Sequence, residues 1–474
     1  MASLSSPGIG SGLDVKSIVS QLVALERRPI EKLQQEKSTT EARLSSFGLL
    51  QSYTNNLRDA AKKLALPGTW AASAASSSDT DYVGTTTTTG SASAGSFSVS
   101  VSQLARAQSV ASNPFPSSAS TFGAGSLTLQ LGQWTAGTPP GFTAKSGTTP
   151  VNVSVDAGDS LATIKDRIND ANASVRASIV NDGSGARLVI RSQATGEVNA
   201  VKITSTGDAS LNDLAYSPDE VPTGTMAETI SALDARAIIN GLTVNSDSNT
   251  LSGVIDGVTL TLKQPTLTAV EVTVAPDTAA MRKAVEDFTK AFNELNGYIT
   301  EQTKYDPEKK VAGKLQGESA TRTLQSQLRS MMQAVSGASA TFNTLSTLGI
   351  EVQRGGGLKV NDTRFNAAMA DPAALSTAFT ADAADDANDG FGVRFTTLTT
   401  SLTDGEGLLQ RRADGIRSQI KRQETEVSKL ETRVTSIEAR LLQQYSALDS
   451  NLGRLNGLGS YVSQQVTAWN NSKG

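Results

Sequence analysis

The chain has 474 residues, a net charge of -4 and an isoelectric point near 5.3. Apolar residues make up 38% and aromatics 5%, against the usual ~45–50% apolar content, so any core is small or divided among thin modules. The balance is the wrong sign for a nucleic-acid binder. With no cysteine and no histidine, a thiol nucleophile, a disulfide, a cysteine zinc site and an imidazole base are all excluded. Zero cysteine suits a chain that crosses compartments unfolded, and equally an ordinary low-cysteine bacterial protein.

Residues 1–12 are small and read as disordered. Asp14 then caps a helix whose Val15, Ile18, Leu22 and Leu25 form one apolar stripe. Pro29 is expected to end or kink that helix. A second helical stretch carries Leu33, Leu44, Phe47, Leu57 and Leu64 and closes at Pro67-Gly68. The first 30 residues lack the pattern of a secretory signal peptide, and no apolar run is long enough to span a membrane.

Near residue 70 the charge thins and Ser, Thr, Ala and Gly take over. Alternation at residues 97–101 and 151–155 predicts half-buried strands. A helix interrupts at 160–169 with Leu161, Ile164 and Ile168 on one face. Residues 175–180 and 186–190 flank Asn181-Asp182-Gly183-Ser184-Gly185, a hairpin signal. The Pro- and Gly-rich stretch 132–150 reads as a long exposed loop. A second β region covers 237–274, with strands at 258–262 and 270–274.

At Asp277 the period returns to helical. Met281, Val285, Phe288, Phe292, Leu295 and Ile299 make one buried seam, read as intrachain core. Leu324, Leu328, Met331 and Val335 mark another helix. Gly355-Gly356-Gly357 separates strand-like pieces at 348–352 and 358–360, and Asp362 is placed as the cap of a helix holding Phe365 and Met369.

The last element is the most regular. Ile416, Ile420, Gln423, Val427, Leu430, Val434, Ile437 and Leu441 repeat at four and three, a coiled-coil heptad with one polar seam position. Gln423 there either specifies register or is simply tolerated. Tyr445, Leu448, Leu452 and Leu455 continue the stripe after a stutter. A helix of this length needs a partner, in the same chain or in a neighbour. Ile18, Leu22, Leu25 and the residues from Ile416 to Leu448 are therefore the candidate interface. The N-terminal helix before Pro29 is expected to be the mobile part of that pair, with residues 33–64 docking at the base of the C-terminal helix.

The fold class is α+β and multidomain: terminal helices form a coiled-coil leg and a helical domain, with β-rich head domains inserted between them. The expected domains are 1–40 with 425–474 (leg), 41–70 with 277–424 (helical), 71–114 with 225–276 (inner β) and 115–224 (outer β).

Sites for small molecules are not expected. Gly8-Ile9-Gly10-Ser11-Gly12 lacks the preceding strand and the spacing of a dinucleotide loop. Asp382, Asp385, Asp386 and Asp389 fail the calcium-loop spacing and read as a solvated acidic loop. No serine–lysine or Gly-x-Ser-x-Gly arrangement occurs in a suitable context. No catalytic residue, metal or cofactor is assigned.

This organisation resembles the flagellar hook-associated protein 2 family, the filament cap. Gly10-Ser11-Gly12-Leu13-Asp14, Ile18-Val19, Leu22 and Glu26-Arg27-Arg28-Pro29-Ile30 are similar to its N-terminal signature. Ile239-Asn240-Gly241 with Gly257-Val258-Thr259-Leu260-Thr261-Leu262, Leu348-Gly349-Ile350 with Gly357-Leu358, and the heptad helix ending in Tyr461 resemble later segments. Residues 160–196 resemble a module shared with flagellins. The resemblance implies a ring-shaped homo-oligomer at the flagellum tip that helps exported flagellin fold and insert. It also implies flagellar type III export without a cleaved signal, and contact with hook–filament junction proteins and an export chaperone. Rival readings are an adhesin with a coiled-coil stalk and another flagellar axial protein.

Overall fold

The computed structural model describes residues 14–87, 92–220, 224–308 and 310–471. The expectations for residues 1–12 and for the loop at 8–12 lie outside them. The chain divides into two units, one of residues 1–69 with 281–474 and one of residues 70–280.

In the first unit the N-terminal helix, Val15–Ala65, is capped by Asp14, whose side chain accepts from the Ser17 N–H at 3.0 Å. It runs through Pro29 without ending. Proline removes the bond to the Leu25 carbonyl and its ring crowds that carbonyl. Both residues lie on the exposed face, while the opposite face packs on the C-terminal helix and holds the turn. The expected break is thus absent.

Helix Thr278–Thr303 buries Met281, Val285, Phe288, Phe292, Leu295 and Ile299 as the period requires. Phe395 of helix Phe391–Thr403 stands edge-on to Phe288, with centroids 5.0 Å apart. Tyr298 donates to the Ser46 carbonyl at 3.0 Å, pinning this helix to the N-terminal one. Two expectations shift. Helix Ser319–Met332 buries Met332 rather than Met331, and Val335 is exposed beyond its end. The cap of helix Asp362–Met369 is Asn361, one residue earlier than Asp362, because its side chain reaches the Arg364 N–H at 3.1 Å.

The second unit is built on two cores. A five-stranded sheet runs Ser73–Ser77, Val270–Pro276, Gly95–Gln103, Ala235–Ile239, Leu242–Ser246, and a three-stranded sheet runs Thr250–Ile255, Val258–Leu262, Val83–Thr87. They share a core that includes Val99, Val101, Ile239, Leu260, Val272 and Val274. The Asn240-Gly241 turn has φ 48° and 84°, the left-handed pair a tight hairpin needs.

The other core lies between residues 109 and 230. One sheet joins Gly125–Thr135 to Ala200–Gly207, Gly141–Ala144 and Val151–Val155; the other runs Ala227–Ile230, Ser109–Ala111, Ala186–Ser192, Val175–Asn181. Helix Leu161–Asp170 drives Leu161, Ile164 and Ile168 into this core, as its spacing predicts, and Ser160 caps it. The expected loop at 132–150 is instead partly a hairpin, pairing Gly132 with Ala144 and Trp134 with Phe142. The Trp134 and Phe142 rings meet at 4.7 Å. A Cβ on Gly132 would come within 2.3 Å of the Thr143 carbonyl, so glycine here permits the strands to approach rather than breaking them.

Candidate functional site

The site is the pairing of the two terminal helices. Lys37 meets Glu424 at 2.9 Å, and Gln51 donates to Gln410 at 3.0 Å. From Lys37 to Gln51 is 14 residues forward, and from Glu424 to Gln410 is 14 back, so the helices run antiparallel in constant register. The hydrogen bond to Glu424 holds the Lys37 ammonium above its ordinary pKa. Val15, Val19, Val23 and Ile30 bury against Val434, with Val427, Leu430, Leu441 and Tyr445 around them.

At the base, Glu318 is 8% exposed. Its carboxylate accepts from Arg412 Nε at 2.8 Å and Nη2 at 2.9 Å, and Arg43 Nε lies 3.6 Å away. This fork-to-carboxylate geometry ties three helices together and raises the Arg412 pKa, the hydrogen bond being the largest cause. Leu409, Ala413 and Ile416 are buried beside it.

The constant register places Val15 beside residue 446. Residues 448–471 of helix Leu408–Asn471 therefore run on past the start of helix Val15–Ala65, for about 36 Å at 1.5 Å per residue. Along that stretch Leu455, Leu458, Tyr461, Val462 and Val466 are each 50–64% exposed. This apolar stripe is left in water in the single chain.

Comparison with known proteins agrees with this architecture. The models for the flagellar hook-associated protein 2 N-terminus and C-terminus match residues 11–108 and 232–457. The flagellin hook IN motif matches residues 142–194. The chain is 30% identical to flagellar hook-associated protein 2 of Salmonella typhimurium, covering 100% of both chains. The chain belongs to the flagellar hook-associated protein 2 family. An A-type flagellar hook-associated protein 2 of Pseudomonas aeruginosa is 30% identical over 97% of each chain. The crystal structure of the D1-D2-D3 domains of the flagellar cap protein from Escherichia coli aligns at 28% identity with a TM-score of 0.62, covering 78% of this chain and 99% of that one. As a hook-associated protein 2, the chain is a flagellar filament cap, and the rival readings are not favoured.

In this family member the expected interface residues fall into three groups. Ile416 and Val434 are buried. Ile18, Leu22, Ile420, Gln423, Val427, Leu430, Ile437 and Leu441 are half-buried. Leu25 and Leu448 are exposed, at 52% and 46%. Gln423 Oε1 is shielded from solvent and has no hydrogen-bond partner among the described residues.

On the N-terminal helix the intrachain seam is Val15, Val19, Val23 and Ile30. At 100° per residue it lies roughly 100° around the helix from Ile18, Leu22 and Leu25. Of the expected stripe of Val15, Ile18, Leu22 and Leu25, only Val15 lies on the buried seam, because the face that packs is set by where the partner helix sits. Sequence reasoning also missed Glu318 and Arg412, which are 94 residues apart and carry no local signal.

Among the described residues no cluster of three His, Cys, Asp or Glu could hold a metal, and no helix is long and apolar enough to cross a membrane. In the acidic loop Asp385 caps the Ala387 N–H at 3.1 Å. Asp389 is buried and accepts from the Ala383 N–H at 2.7 Å.

Proposed function

We propose that this cap is a structural protein working as a ring-shaped homo-oligomer. Exported flagellin folds and inserts beneath it, and it has no catalytic role. In this reading residues 1–40 with 425–474 are the leg, 41–70 with 277–424 the helical domain, 71–114 with 225–276 the inner and 115–224 the outer β domain. Export through the flagellar type III route, an export chaperone and the hook–filament junction proteins belong to the same reading. The observation that carries it is the exposed stripe from Leu455 to Val466, joined by the second stripe at Ile18, Leu22 and Leu25. Together they give the terminal helices two faces that their own pairing covers only in part, with Leu25 exposed and Ile18 and Leu22 half-buried.

The test is electron microscopy and sedimentation of the full-length chain, alongside a deletion strain complemented with Leu430→Asp. Closed oligomers are expected from the native chain. The deletion is expected to leave hooks without filaments. Leu430→Asp places a carboxylate in the seam and is expected to fail to restore filaments. A monomeric native chain with normal filaments in the deletion strain would overturn the reading.

A further inference from the structure

Two sheet edges are closed in the same unusual way. Strand Val175–Asn181 is the outer edge of its sheet. Gln193 donates its backbone N–H to the Ser174 carbonyl, and antiparallel alternation then turns the N–H and C=O of Val175, Ala177 and Ile179 away from the neighbouring strand. At the middle of that row Asn169, in the last turn of helix Leu161–Asp170, fills both positions of Ala177. Its Oδ1 accepts the Ala177 N–H at 2.8 Å and its Nδ2 donates to the Ala177 carbonyl at 3.0 Å. Gln193 Nε2 also donates to the Val175 carbonyl at 3.2 Å.

The short strand Leu358–Val360 repeats the device in the other unit. Gln353 donates to Gly357 and Asn361 to Gly349, so the N–H and C=O of Leu358 and Val360 face outward. Asn293 of helix Thr278–Thr303 accepts the Leu358 N–H at 2.7 Å and donates to its carbonyl at 2.8 Å. Beside this clamp lies an open groove of about 580 Å³, lined by Glu286, Thr289, Lys290, Leu358 and Val360 among others. Each asparagine presents the donor and acceptor that one residue of an added strand would present.

An unclosed edge is a template for an extended chain. Strand Leu242–Ser246, at the end of the five-stranded sheet, has no such side-chain clamp among the described residues. Its tight turn pairs Ile239 with Leu242, so Thr243 and Asn245 face outward.

We propose that Asn169 and Asn293 are edge-closing residues. By occupying Ala177 and Leu358 they keep an extended segment of another polypeptide from adding a strand to either edge. Only the identity of that polypeptide, unfolded flagellin, rests on the reading above.

The experiment uses the full-length chain and a fluorescein-labelled, acetylated Thr-Val-Thr-Val-Thr-Val peptide, read by fluorescence anisotropy. Asn169→Ala and Asn293→Ala are each expected to bind the probe at least ten-fold more tightly than the native chain. Asn169→Asp still accepts the Ala177 N–H, places a charge on the edge and is expected to bind like the native chain. Leu127→Ala weakens the same core from the opposite sheet, away from the edge strand, and is expected to gain no binding. Hydrogen exchange of the native chain should protect the Ala177 and Leu358 amides and leave Thr243 and Asn245 fast.

Alanine variants that bind no better than the native chain would overturn the proposal. So would a Leu127→Ala variant that gains as much binding. If either alanine variant fails to fold, Asn169→Ser and Asn293→Ser carry the same expectation and the same refutation. None of these outcomes depends on whether the native chain forms rings or supports filaments.

Discussion

The two ends of helix Leu408–Asn471 share one sequence pattern and live in different environments. Near residue 416 the heptad positions are buried among other helices of the same unit, and Glu318 fixes the base through Arg412. Beyond Leu452, which is half-buried, the same spacing leaves Leu455, Leu458, Val462 and Val466 at least half in water. A heptad thus states that a stripe exists and sets its period. How much of it the N-terminal helix covers is decided by length, and that helix is too short in register to reach the end.

The contrast breaks most sharply at Ile416, which is fully buried. Ile416→Asp places an unpaired carboxylate in that packing, and such burial is among the few single changes that cost about 4–5 kcal/mol. The helical unit should lose its cooperative unfolding transition near the native midpoint, as followed by calorimetry. The same substitution at an exposed distal position, such as Leu458→Asp, should leave that transition in place. If both variants unfold alike, the two ends are not different environments.

Smaller and more informative is Glu318→Ala. A fully buried pair broken on one side costs ~3–5 kcal/mol. Arg412 and Arg43 are about one-third exposed, so solvent screens the orphaned guanidinium groups and about 2 kcal/mol is expected. Denaturant unfolding of the full chain would measure it. Because the hydrogen bond to Glu318 raises the Arg412 pKa above its ordinary value, its contribution is complete below that ordinary value and is lost only as pH rises through the higher folded pKa. Arg412 should therefore give no pH dependence to stability between about pH 6 and 9, a range well below arginine titration. A slope in the difference between native and Glu318→Ala across that range would show that another titrating group shares the clamp.

These residues also show what could be read from the sequence. The seam from Met281 to Ile299, the helix at 161–170 and the hairpin around Gly183 were legible because each is a local pattern whose period matches the element it forms. Pro29 misled because its local effect is outweighed by packing along the rest of a 51-residue helix. The Trp134–Phe142 hairpin was hidden because its glycine serves close approach, while the surrounding composition resembles a loop. Of the candidate interface, the C-terminal heptad was legible, and the choice of stripe on the N-terminal helix was not. The Glu318 clamp and the Asn293 edge closure join residues 94 and 65 positions apart, and nothing in either neighbourhood points to the other.

The smallest expected effect bears on the distal end itself. Leu455 and Leu458 are 64% and 62% exposed in the single chain, so replacing both by serine removes little that folding has buried. Surface substitutions of this kind usually stay within ~0.5 kcal/mol, and serine lowers helix propensity by a similar few tenths per residue. The unfolding midpoint should barely move. If another copy covers this stripe, however, the apolar area lost counts in full at the interface, at about 25 cal/mol for each Å². Sedimentation of Leu455→Ser with Leu458→Ser should then show dissociation at concentrations where the native chain remains assembled. Unchanged assembly with unchanged stability would mean that the exposed half of the helix is not what joins the copies, and that the joining face lies at Ile18, Leu22 and Leu25 or outside the terminal helices altogether.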